Sequence, residues 1–201
     1  MTKILKVIAW SILFTCSQAN AQSNAEILKQ IKSKSGELKE FRDLLNSPDA
    51  SIRLSAFDSM SKSDNQALRQ LALDEGINSQ DAVLRGMAFQ ELMMSLKTLS
   101  MTVKTEGMTP EAKKLVLSEM GDLYTLSFRD FKRVGATLGF ETTDNMTGAS
   151  RDANINGLKF NWESGVCKGE ATLQAGGLLA GVVRCPREIK GVTMPVSAIL
   201  R

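Results

Sequence analysis

A three-residue loop, Ala175-Gly176-Gly177, sets the tightest constraint on how this chain folds. Loops of that length with glycine last join antiparallel strands through a type I turn and a G1 bulge, the final glycine being left-handed. Gly177 takes that position, and Gln174 then faces Leu178 across the ladder. Continuing outward pairs Leu173 with Leu179, Ala171 with Gly181, and Cys167 with Cys185. Turn chemistry alone therefore sets two cysteines side by side on neighbouring strands, where a closely spaced pair accepts a disulfide. Closing a loop of about 19 residues contributes roughly 3 kcal/mol on the chain-entropy account. The pair lacks the C-x-x-C spacing of a redox couple, so the bridge reads as structural.

The same grammar runs on both sides of this hairpin. Asn156-Gly157 is a strong turn signal, with Ile155 before it and Leu158, Phe160 and Trp162 alternating after it. Ser164-Gly165 makes the next reversal, and strands follow over Val166 to Gln174 and Leu178 to Cys185. Pro186 ends that strand, and Lys190-Gly191 turns into a last one from Val192 to Leu200. Upstream, Tyr124, Leu126 and Phe128 alternate with polar neighbours. Residues 132–150 carry mixed signals, with 144–150 reading as a loop that includes the glycosylation sequon Asn145-Met146-Thr147. The expectation is a meander of about five strands that closes with the 123–131 strand into a small barrel or a curled sheet. Trp162 lies on the apolar face and reads as core rather than as a stacking platform.

The first half has a different period. Ser recurs at 47, 63 and 79, Arg at 53, 69 and 85, and Ala at 56, 72 and 88, a constant offset of sixteen residues. Ile52, Leu68 and Leu84 hold one apolar slot; Phe57, Leu73 and Phe89 hold another. Each serine reads as an N-cap, with Pro48 at the first helical position, and Gly76 and Asn78 as terminators. Asp49–Arg53 and Asp81–Arg85 have the spacing and order of favourable i,i+4 ion pairs. The arginine column is also a candidate interaction surface, formed by Arg53, Arg69 and Arg85. Asp49, Arg53, Ala56 and Phe57, with Asp81, Arg85, Ala88 and Phe89, give the stretch from 47 to 95 a pattern that resembles HEAT-like repeats. The resemblance implies stacked antiparallel helix pairs, a scaffold used for protein contacts. Residues 24–46 supply a further one or two helices as a cap, and Thr109-Pro110-Glu111 opens another helix that runs to Met120. Leu99, Met101 and Val103 alternate as a short strand before it.

Residues 1–21 read as a secretory leader. Lys3 and Lys6 precede an apolar run from Val7 to Thr15, and Ala19-Asn20-Ala21 is a small-residue cleavage site. Leu13-Phe14-Thr15-Cys16 is similar to a lipoprotein box, with Thr15 a poor fit before the cysteine. Cleavage after Ala21 makes the protein periplasmic or secreted, where disulfides persist. It leaves no stable membrane insertion, since the run falls short of the roughly 20 residues a spanning helix needs. The resulting α+β organisation is a leader over 1–21, a helical repeat-like domain over 22–98, a connector over 99–122 and a β-rich domain over 123–201.

Composition narrows the chemistry. The hydrophobic fraction of 43% suits a globular chain. Without Lys3 and Lys6 the 25 basic residues become 23 against 22 acidic ones, which gives no reason to expect nucleic acid or an anionic membrane as partner. Histidine is absent, which excludes Ser-His-Asp and Cys-His catalysis and every histidine-ligated metal site. Ser59-Met60-Ser61-Lys62 and Ser63-Asp64-Asn65 match two signatures of penicillin-recognising enzymes, yet they abut in one connector and read as turn and cap residues. Glu163 and Glu170 form a conceivable glycosidase pair but read as solvated acids. Met87, Met93, Met94, Met101 and Met108 are spaced irregularly and read as core filling rather than as a copper(I) groove. No catalytic residue, cofactor or metal is therefore expected. The leading expectation is a non-catalytic module that contacts another protein or an envelope component. The alternatives are an inhibitor or immunity-type protein that plugs an envelope hydrolase with a hairpin tip at 156–157 or 175–177, and a carboxylate- or serine-based hydrolase.

Overall fold

The computed structural model describes residues 23–146, 148–185, 189 and 191–200. The leader with its Ala21 site and Cys16, Thr147 of the sequon, Pro186 and Lys190 lie outside the described residues. The chain divides into two compact units, one ending at Gly36 and one starting at Glu37. Helix α1 (Asn24–Leu45) begins in the first with a capping box. Ser23 Oγ accepts from the Glu26 amide at 3.3 Å, and Glu26 Oε2 accepts from the Ser23 amide at 2.9 Å. The remaining elements belong to the second unit.

Helices α2 (Ala50–Ser61), α3 (Gln66–Asn78) and α4 (Ala82–Ser95) occupy the three copies of the echo. Their caps are Asp49, Asn65 and Asp81, whose side chains accept backbone N–H groups of the first turn. The serines expected in that role stand two residues earlier. Ser47, Ser63 and Ser79 each accept the amide of the cap residue itself, at 3.1 to 3.2 Å. A carboxylate or amide oxygen caps as well as a hydroxyl, and the Ser-x-Asx pair satisfies one donor more. Gly76 does not terminate α3 but lies buried inside it. A Cβ there would come 2.7 Å from Ala88 Cβ and 2.9 Å from Phe57 Cε2. With the fully buried Ala72 and Ala88, it lets α3 pack closely on its neighbours α2 and α4.

Eight strands follow: β1 (Thr98–Val103), β2 (Leu123–Val134), β3 (Thr137–Asp144), β4 (Arg151–Asn156), β5 (Lys159–Ser164), β6 (Cys167–Leu173), β7 (Leu178–Arg184) and β8 (Thr193–Ile199). They form a closed antiparallel barrel in chain order, with β1 pairing β8. The expected meander and the 123–131 strand are present. β3 and β1 are the additions, β1 coming out of the predicted connector to close the wall. The chain is thus α+β. A fifth helix, α5 (Pro110–Glu119), links β1 to β2, capped by Thr109 and anchored by the fully buried Val116.

The register follows the hairpin loop. Gly177 is left-handed as expected, but Gly176 is left-handed too, so the turn is not the expected type I; the register holds all the same, the Gln174 amide bonding the Leu178 carbonyl at 2.7 Å. Leu173 faces Leu179, Ala171 faces Gly181, and Cys167 and Cys185 are bridged with their Cα atoms 4.2 Å apart. The neighbouring turn sits one residue later than an Asn-Gly turn would. Asn156 pairs with Lys159, leaving Gly157-Leu158 as the loop; Gly135-Ala136 and Gly165-Val166 repeat this form. All three have a positive-φ glycine first, the type II′ arrangement that suits strand twist.

Side-chain volume is managed inside the wall. A Cβ on Gly169 would lie 2.0 Å from Trp162 Cζ2, so the indole occupies the space the glycine leaves. β2 shifts register between Arg129 and Lys132, with Asp130 left-handed. The bulge breaks the two-residue period and brings both Phe128 and Phe131 onto Phe140, at centroid distances of 5.2 and 5.0 Å. Helices α3 and α4 cover the barrel end that carries the 135–136, 157–158 and 175–177 turns. Gly86 of α4 is in near contact with Gly157 backbone, Gln90 Nε2 donates to the Ala136 carbonyl at 2.8 Å, and Glu91 pairs with Arg133. Helix α3 meets the 175–177 turn, and one continuous apolar core runs through both layers.

Candidate functional site

Each arginine of the column is drawn into its own connector. Arg53 Nη1 donates to the Ser47 carbonyl at 2.7 Å and Arg85 Nη1 to the Ser79 carbonyl at 2.6 Å; Arg69 makes the same bond to Ser63. The module Ser-x-Asx-x-x-x-Arg is therefore a closed loop of bonds, repeated three times. The i,i+4 ion pairs expected within copies do not form, because Asp49 and Asp81 turn toward the helix start as caps. Arg53 instead reaches Asp81 of the third copy, Nη2 to Oδ2 at 2.6 Å, with side-chain exposures of 19% and 16%. The Arg53 guanidinium thereby holds the Asp81 carboxyl below its ordinary range, against the opposing pull of desolvation. The structure places all three arginines at half-buried positions, where connector geometry depends on them.

Beside this frame lies an open groove of about 480 Å³ between the second half of α1 and helix α2. Phe41 and Leu44 form one wall, Ile52, Ala56 and Met60 the other, with Ser51, Ser55 and Ser59 along the rim. Leu44 and Ile52 are each 44% exposed, large for aliphatic side chains. The lining is mostly apolar with a few hydroxyls, and it holds no titratable group. Such a surface favours burial of another apolar face over chemistry. Sequence reasoning placed Ile52 in an apolar slot of the repeat and residues 24–46 in a helical cap, and it missed the groove. The serine spacing 51, 55, 59 beside an apolar stripe was the available signal.

Inside the barrel, at the end away from α4, four polar groups form a chain. Trp162 Nε1 donates to Tyr124 Oη at 3.2 Å, Tyr124 Oη and Ser164 Oγ are 2.7 Å apart, and Ser164 Oγ donates to Asp144 Oδ2 at 2.7 Å. Burial pushes the Tyr124 phenol well above its ordinary range, so it stays protonated. A serine bonded to a carboxylate invites a nucleophile reading. Yet Tyr124 and Ser164 are fully buried, Asp144 nearly so, and Ser164 Oγ bonds the carboxylate directly, with no described base between them. The chain links β2, β3 and β5 through the core. Trp162 is a core residue within it, 2% exposed.

The other sequence candidates are dispersed. Glu163 pairs with Lys168 at 2.7 Å, and Glu170 stands opposite Asn161 in the β5–β6 ladder. Both acids lie on the outer wall, lining a shallow polar concavity with Arg151, Asn154 and Arg184. Lys62 pairs with Asp58, and Ser63 and Asn65 belong to the second connector. Among the described residues no three His, Cys, Asp or Glu side chains are grouped to hold a metal ion. None of the described helices is long and apolar enough to cross a membrane. Comparison with protein families, curated proteins and solved structures finds no match.

Proposed function

We propose that this chain is an exported, non-catalytic interaction module that docks an amphipathic helix of a partner protein in the α1–α2 groove. The groove carries the reading. It is open and mostly apolar, with a volume of about 480 Å³. Phe41, Leu44, Ile52 and Met60 offer slots for apolar anchors at i, i+3 or i+4, and the serine rim supplies hydrogen bonds without charge. The barrel acts as a rigid base, because α4 is pinned to the 135–136 turn by Gln90 and to the end of β2 by Glu91. Export is supported by the leader pattern and by the Cys167–Cys185 bridge, a bond favoured outside the cytoplasm. The HEAT-like resemblance of 47–95 points the same way, toward a helical scaffold for protein contacts.

The test is a photo-crosslinker placed at Ser55 on the groove rim, in the organism's own cells. One defined adduct is expected, lost on Ile52→Glu and retained on Glu163→Gln, a change on the outer barrel wall. An adduct indifferent to Ile52→Glu, or no adduct at all in a folded protein, overturns the docking assignment.

A further inference from the structure

We propose that the helix seated in the α1–α2 groove is Asn24–Gly36 of a second copy of this chain, so that two chains pair reciprocally. The pairing rests on the docking reading of the groove and names its occupant.

The segment carries an apolar stripe that stays in water. Ile27, Leu28 and Ile31 are 40%, 57% and 56% exposed. Ile31 stands four residues after Ile27 and three after Leu28, so the three side chains share one face of the helix. A contiguous apolar patch marks an interaction surface, whereas single exposed aliphatic residues do not. Anchors at i, i+3 and i+4 are also what the slots between Phe41, Leu44, Ile52 and Met60 accept.

Length and charge match as well. At 1.5 Å per residue Asn24–Gly36 spans about 20 Å and the α2 wall from Ser51 to Met60 about 14 Å, so the segment covers the groove from end to end. Lys32 and Lys34 border the apolar stripe and Lys29 lies behind it, all exposed. The one acid of the segment, Glu26, is engaged in the Ser23 capping box. On the groove side Lys39 pairs with Asp43 and Arg42 with Glu75. Glu37 and Glu40, one turn before Phe41 and Leu44, are exposed and outside any ion pair among the described residues. A basic segment therefore meets an acidic groove margin, the complementarity that steers association and fixes orientation. Each copy offers one segment and one groove, so two copies satisfy each other in a closed two-fold pair.

Sedimentation velocity on the mature protein tests the pairing. A dimer is expected at about 100 µM, where a micromolar pair is nearly all associated. Leu28→Glu breaks the segment and Ile52→Glu the groove, at side chains 57% and 44% exposed, so both variants keep the wild-type melting temperature. Each raises the dimer dissociation constant by more than about tenfold, roughly what one buried aliphatic anchor contributes. An equimolar mixture of the two restores one intact segment to one intact groove and pairs more tightly than either variant alone. The assignment is overturned by a wild type that stays monomeric, by a dimer indifferent to either substitution, or by a mixture that does not recover. A monomer that sediments with anionic lipid vesicles, and loses them on Leu28→Glu, also overturns it by giving the segment to a membrane surface. A different protein in the Ser55 adduct, with the pure chain monomeric, overturns the pairing and leaves the groove reading standing.

Discussion

Removing one oxygen from the barrel interior, by Tyr124→Phe, should cost far more than a single hydroxyl suggests. The phenol oxygen accepts from Trp162 Nε1, bonds Ser164 Oγ and lies 3.3 Å from Asp144 Oδ2, all in a region closed to water. Phenylalanine keeps the ring and its packing against Trp162, at a centroid distance of 6.3 Å, so the change isolates the hydrogen bonds. Trp162 Nε1–H is left buried without its acceptor, a loss of about 1–3 kcal/mol. Ser164 keeps its bond to Asp144, which limits the damage. The expected total is about 2 kcal/mol, or about 6 °C in melting temperature for a domain of this size. Ser164→Ala should cost a similar amount, because its bond to Asp144 is charge-assisted. The double variant should fall short of the sum by more than about 0.5 kcal/mol, since both changes cut the same chain. Thermal and urea unfolding followed by Trp162 fluorescence measure all three. A Tyr124→Phe melting point unchanged from the wild type, or strict additivity, would refute the network.

Arg53→Ala should destabilise the helical layer by about 2–3 kcal/mol near pH 7, because it strands Asp81 in a mostly buried position. The Asp81 carboxyl is held below its unfolded value, so this contribution is present above about pH 4 and lost as pH falls through the folded value. Urea melts should therefore show the gap between wild type and variant shrinking near pH 3; an equal gap at both pH values contradicts the assignment. Gly169→Ala should cost about 3 kcal/mol or more by forcing Trp162 out of place, and Trp162→Leu in the same chain should recover part of it. Far-UV melts of the single and double variants check this, and an innocuous Gly169→Ala would mean the indole lies elsewhere.

Local grammar was legible wherever a short loop tied two strands. Ala175-Gly176-Gly177 sufficed to pair Cys167 with Cys185, because loop length fixes register without reference to the rest of the fold. β3 escaped notice because its inward positions run Leu138, Phe140, Thr142, Asp144, and the last two are polar yet buried. An apolar alternation that turns polar halfway reads as a loop. The same two-residue period placed Leu99, Met101 and Val103 on a strand, but its partner Val196 lies at the far end of the chain. Closure is a long-range event that local periodicity does not encode. The echo of Ser, Arg and Ala announced three helix starts, while the choice of Asp49 over Ser47 as cap was settled by side-chain reach. The groove was hidden for a related reason. Ile52 occupies the same slot as Leu84, which is fully buried, whereas Ile52 is 44% exposed and lines the groove beside α1.

The strand register and the proposed route out of the cytoplasm meet in one bond, so a mass measurement on native protein tests both. Proteolysis without reductant should yield a single crosslinked species joining the peptides that hold Cys167 and Cys185, together with a mature N-terminus at Gln22. Two free thiols in freshly isolated protein, or peptides that still begin at Met1, would contradict the bridge-locked β6–β7 ladder and the exported module built on it.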